Sequence, residues 1–285
     1  MELVSQILFG LLNGVTWGIL LALISSGLNV IFGLLGIVNV AHGSFYMVGA
    51  YLAWLITTQL GSFWLALFLA PLIVGMLGIL AEFILKPVEQ NHTLSVLGTF
   101  GVTLALQGSA LTIWGGAPKR LSAPVGWKFS LFGTGYSYYR IIAAAISLIT
   151  LICLWFLLER TDVGLKFRAV QEDPELSVAA GIRVPLVYSL GFGLGAALAG
   201  LSGALVAPTV SITPEMGLRI FAIVFLIVIA GGLGRIWNAV LFAIVFSVVR
   251  GLLTTFFNPT AALIATFVLV LVFLLLRKNL PTSRG

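Results

Sequence analysis

Apolar residues run along this chain in blocks of about twenty, and the charged residues fall almost wholly between the blocks. From Leu3 to Ala81 there is no Asp, Glu, Lys or Arg. Hydropathy predicts helices over Ile7–Phe32, a second ending near Thr58, then Phe63–Leu85, Asn91–Trp114, Ile141–Leu158, Val187–Val206, Ile220–Ala230, Ile236–Phe257 and Pro259–Leu276. That is about nine membrane spans, give or take one. Gly33 and Gly36 are expected to interrupt the first block, and Pro87 to end the third. Two stretches read as non-helical: Gly115–Tyr139, whose Trp and Tyr suit a membrane interface, and the polar, proline-bearing turn Pro208–Gly217.

Several features stand out inside the blocks. The stretch Gly33–Tyr51, GLLGIVNVAHGSFYMVGAY, places Asn39, His42 and Ser44 among glycines. Polar, glycine-broken segments at membrane depth are tolerated where they are buried in protein or line a water-filled path. Gly36, Asn39, His42, Gly43 and Ser44 are therefore candidate pathway residues, although His42 also suits a hydrogen-bonded structural role. A metal is not expected, since His92 and Cys153 sit on other spans. Gly10, Gly14 and Gly18, and again Gly191, Gly195, Ala199 and Gly203, recur every fourth residue and predict close helix packing. Glu82 and Lys86 are spaced to pair across one helical turn. Arg250 lies in an apolar run, with Glu215 as a candidate partner. Ser202 sits in GLSG, which resembles the nucleophile motif of rhomboid proteases, but both histidines precede it, and a packing serine explains it better.

The most charged segment is Glu159–Arg183, within a loop of about residues 159–185. It must sit in water. Inside it Asp173 can cap a short helix, Pro174 suits the first helical position, and Gly181 can close it. With Arg168 and Glu175 these residues form a candidate docking element for a cytoplasmic partner. If that segment is cytoplasmic, Arg277, Lys278 and Arg284 share its side and the N-terminus lies outside, while Lys119, Arg120, Lys128 and Arg140 face outward against the usual bias.

Composition agrees with a membrane protein. Of 285 residues 60% are hydrophobic and 8% charged, with a mean hydropathy of +1.15. The balance of +6 follows from basic residues in short loops, so no nucleic-acid partner is expected. A single cysteine excludes an internal disulfide. MELVSQILFG lacks a positive n-region and a cleavage site, so the first span is expected to be retained. No lysine follows a glycine, so there is no Walker A loop, and ATP-driven work would need another subunit. The whole chain, residues 1–285, reads as one all-α, polytopic transmembrane domain.

The words GLNVIFG (Gly27–Gly33), GIVNVAHGSF (Gly36–Phe45) and MVGAY (Met47–Tyr51) closely resemble the permease of branched-chain amino acid ABC importers, of the type carrying Asn-x-Ala-His-Gly. RAVQEDPELSVAAGI (Arg168–Ile182), LAGLSGAL, ITPEMG and IAGGLG extend the resemblance to Gly234. Arg235, Asn238, Phe242 and Arg250 depart from it. The resemblance implies an importer transmembrane domain in a bacterial inner membrane, moving branched-chain amino acids or related solutes such as urea, short amides or aromatic acids. It also implies a homologous second permease, two cytoplasmic ATPases that bind ATP and Mg, and a periplasmic solute-binding protein. An ATP-independent channel or carrier is the alternative of another class.

Overall fold

The computed structural model describes residues 2–36, 39–88, 91–131 and 134–278. Arg284 lies outside them. Among the described residues are eleven α-helices: α1 Glu2–Leu35, α2 Ala41–Leu60, α3 Phe63–Leu85, α4 His92–Trp114, α5 Tyr138–Arg160, α6 Asp162–Glu172, α7 Pro174–Ala179, α8 Val184–Val206, α9 Met216–Gly231, α10 Ile236–Phe256 and α11 Pro259–Lys278. Nine of them answer to the nine predicted blocks. Seven are long and apolar enough to cross a membrane; the other two are α2, which carries the polar motif, and the sixteen-residue α9. At 1.5 Å per residue α9 is about 24 Å long, short of the roughly 30 Å hydrocarbon core. The chain is a multi-pass, all-α membrane protein.

Four expectations need correction. Gly33 does not interrupt α1, which runs on to Leu35; the break comes at Gly36, whose φ of +65° lies in the left-handed region that glycine tolerates. Part of the loop before α5 is a β-hairpin, β1 Lys128–Leu131 paired antiparallel with β2 Thr134–Ser137, so one small sheet joins the helices. Tyr136 pins it to α1: its hydroxyl is 2.7 Å from Thr16 Oγ1 and its ring meets Phe9 edge-on. Glu82 is 5% exposed and accepts a 2.7 Å hydrogen bond from Ser189 on α8, because its helix face turns inward, away from a partner one turn on. Glu215 pairs with Arg219, at 3.8 Å, and not with Arg250.

Glycine brings the central helices to backbone contact. A Cβ on Gly10, Gly14 or Gly18 would lie 2.7–2.8 Å from backbone atoms of α10, namely Gly251 O, Val248 Cα and Ile244 Cα. A Cβ on Gly195 would lie 2.6 Å from Gly27 O of α1, and one on Gly203 would press on Tyr46 of α2; Gly191 is buried on the same helix. Within a bilayer, where lipid is as apolar as leucine, such close approach is the main source of helix association. Ser202, 1% exposed, donates to Leu20 O at 3.3 Å within this seam, the place of a packing serine.

Candidate functional site

The residues of the Asn-x-Ala-His-Gly stretch assemble where α1, α2, α8 and α9 meet. His42 Nε2 lies 2.9 Å from Ile24 O; a carbonyl can only accept, so Nε2 carries the proton. Ile24 stands eleven residues before the end of α1, about 16 Å along its axis. The chain therefore leaves α1 at Gly36, turns back along its side, and starts α2 deep inside the bundle. Asn39 is 1% exposed, His42 0% and Ser44 2%. Gly43 is a contact point: a Cβ there would collide with Gly217 O and lie 2.8 Å from Phe221 Cβ. Gly36 has open space around it.

α9 begins at the same place. Gly217, the last residue of ITPEMG, packs on Gly43, and a Cβ on it would lie 2.8 Å from Gly43 O and 3.2 Å from Ser44 Cα. Neither α2 nor α9 has a side-chain cap at its N-terminus. Two helix N-termini without side-chain caps, each with the positive partial charge of a helix start, thus converge inside the protein, with His42 N bonded to Asn39 O and Met216 N to Thr213 O. Around them lie polar atoms with no hydrogen-bond partner among the described residues: both amide atoms of Asn39, His42 Nδ1, and the hydroxyl of Ser25, the neighbour of Ile24. Val40 N donates to Thr99 Oγ1 of α4 at 3.3 Å and ties the turn to a further helix. Chemically, the junction offers donors and acceptors without a fixed charge, a surface on which a small polar solute can exchange water for protein.

His42 also holds the junction together. Substituting leucine for His42 is expected to lower stability by about 0.5–1.5 kcal/mol, the net worth of the lost hydrogen bond, since Ile24 O keeps its partner within α1. Thermal unfolding of the purified chain should show this, with His42→Gln, which can still donate to Ile24 O, losing less.

The charged segment lies outside the membrane helices as two helices, α6 and α7; only the second was expected. Thr161 Oγ1 caps α6 through Gly164 N at 3.4 Å. Asp173 Oδ1 accepts from Leu176 N at 2.9 Å, Pro174 takes the first helical position, and Gly181, at φ +80°, closes α7 with Ile182 N bonded to Ser177 O at 2.9 Å. Glu175 is exposed in the first turn. Arg168 donates to Leu158 O at the end of α5 and lies 3.6 Å from Glu159, so it fixes α6 to its span. A groove of about 450 Å³ opens between α6, α8 and the turn after α7, with Lys166, Phe167 and Arg183 in its wall. Composition could not foresee Asn29, which donates to Gly232 O at 3.3 Å and accepts from Gly234 N at 2.6 Å, fastening α1 to the loop after α9. It belongs to GLNVIFG, but its partner lies some two hundred residues away.

Helices seamed by glycine, a polar junction buried where two of them begin inside the bundle, and a capped helical pair beyond the spans make up a multi-pass membrane protein. The chain belongs to the branched-chain amino acid transport system permease family, whose model matches residues 10–276. It is 27% identical over 284 residues to the high-affinity branched-chain amino acid transport system permease protein BraD of Pseudomonas aeruginosa, covering 94% of this chain and 92% of that one. It is 24% identical to the permease protein LivH of the corresponding Escherichia coli system, covering 95% and 92%. It is also 28% identical to the permease protein LivM of Salmonella typhimurium, covering 81% of this chain and 60% of that one. No solved structure matches.

Proposed function

We propose that this chain is one membrane-spanning subunit of a binding-protein-dependent ABC importer that moves branched-chain amino acids, or closely related small solutes, inward across a bacterial inner membrane. The observation that carries this reading is the near full-length match to permease proteins of high-affinity branched-chain amino acid systems. The likeness to both BraD and LivM supports a pseudo-dimer with a homologous second permease. ATP and Mg belong to two partner ATPases that meet α6 and α7 on the cytoplasmic side, which puts the N-terminus in the periplasm and the C-terminus in the cytoplasm. A periplasmic binding protein selects the solute. The junction around Gly36, Asn39, His42, Gly43 and Ser44 is then a gate on the path: its unpaired polar atoms serve a solute once α2 and α9 separate.

Uptake of labelled leucine tests this. Liposomes holding the two permeases and the ATPases are expected to accumulate it only with ATP and the loaded binding protein. Liposomes holding this chain alone are expected to stay at background, and ATP-independent uptake by the chain alone would establish a channel or carrier instead.

A further inference from the structure

At the end of the bundle remote from α6 and α7 lies a second polar site, between α1, α10 and the start of α11. It is a cavity of about 280 Å³ whose wall includes Asn13, Trp17, Ser247, Arg250, Thr254 and Pro259. Through Asn13 and Thr254 it adjoins another of about 360 Å³, where Gln6 and Thr255 add polar groups. Its location follows from α5: Arg140 near the start of that helix donates to Asn13 Oδ1 at 2.7 Å, while the other end, Arg160, leads into α6.

No acid among the described residues answers its charge. Among the described residues Arg250 has no carboxylate within ion-pair distance; the two ion pairs there are Arg168 with Glu159 and Arg219 with Glu215. Arg140 is likewise held by an amide and by the Tyr136 ring, 5.9 Å away, and not by an acid. Ser247 is 4% exposed and its hydroxyl has no hydrogen-bond partner among the described residues, although it borders the cavity. An arginine in an apolar helix is costly unless something answers its charge. Guanidinium, hydroxyls and a carboxamide together make a site for an oxyanion. The rim is apolar: Phe256 and Phe257, just past Thr255, are 61% and 54% exposed. An oxyanion delivered with hydrocarbon attached, as in a membrane phospholipid, fits that setting.

We infer that the Arg250 cavity binds the phosphate of a membrane lipid, with Arg250, Ser247 and Asn13 on the phosphate oxygens and Phe256 and Phe257 against the acyl chains. The site concerns the chain's seat in the bilayer and does not rest on the transport reading.

Native mass spectrometry of the full chain released from nanodiscs of mixed phosphatidylglycerol and phosphatidylcholine tests it. Wild type is expected to retain bound phospholipid, Arg250→Met to weaken retention about fivefold to tenfold, Ser247→Ala to weaken it less, and Arg250→Lys to keep most of it. Millimolar inorganic phosphate or leucine should not displace the lipid. Equal retention by wild type and Arg250→Met overturns the inference, and so does displacement by either small solute, which would mark a solute site. Should Arg250→Met fail to give monodisperse protein, Ser247→Ala and Arg250→Lys decide in its place: retention by both at the wild-type level overturns it.

Discussion

Gly43→Ala should destabilise the folded chain by about 1–3 kcal/mol or more, and Gly43→Leu should leave no folded protein to purify. The added methyl of alanine would collide with Gly217 O and lie 2.8 Å from Phe221 Cβ. Backbone cannot swing aside as a long side chain can, so α2 and α9 must part along their contact. Separation costs dispersion at each neighbouring glycine meeting, including Gly49, whose own Cβ would lie 2.5 Å from Gly200 Cα on α8. Gly101, on an exposed face of α4 with nothing within 4 Å of its would-be Cβ, is the control: Gly101→Leu should unfold at or slightly above the wild-type temperature. Equal melting temperatures for wild type and Gly43→Ala would show that the two helix starts are not pressed together.

The same contact marks how far the sequence could be read. Hydropathy finds a helix wherever some twenty apolar residues run together, so each of the nine blocks has its helix, and Asp173, Pro174 and Gly181 announce α7 by local cap chemistry alone. Local chemistry says nothing about which glycine meets which. GIVNVAHGSF and ITPEMG look like separate words, yet Gly43 of one rests on Gly217 of the other. Gly33 reads as a breaker but sits within α1, since a glycine inside a helix costs only about 1 kcal/mol and packing recovers that. Glu82 illustrates the same limit. Its spacing from Lys86 suggests a surface pair, while burial against Ser189 is set by α8, more than a hundred residues on. Gly36 announces the break after α1, while the start of α2 in the interior is hinted at only by the polarity of Asn39 and His42.

The proposed contact with ATPases predicts the second large effect. In the reconstituted importer, Gly181→Val and Glu175→Pro should each cut ATP-driven leucine uptake at least tenfold, a loss of about 1.4 kcal/mol or more in coupling. Both act on α7 by backbone means. Valine is strained at φ +80°, where a β-branched side chain crowds the backbone, so the turn that returns the chain to α8 must rearrange. Proline at 175 disfavours the helical conformation of the preceding Pro174 and so unwinds the first turn that Asp173 caps. Neither residue lies in a membrane helix or at the buried junction, so the permeases should still assemble and α2 and α9 should keep their contact. Basal ATP hydrolysis belongs to the partners and should persist, while its stimulation by the loaded binding protein should vanish. That split separates lost coupling from lost folding. Normal stimulated hydrolysis and uptake in both variants would move the proposed ATPase contact away from α7 and leave the proposed gate around Asn39, His42 and Ser44 to be tested on its own.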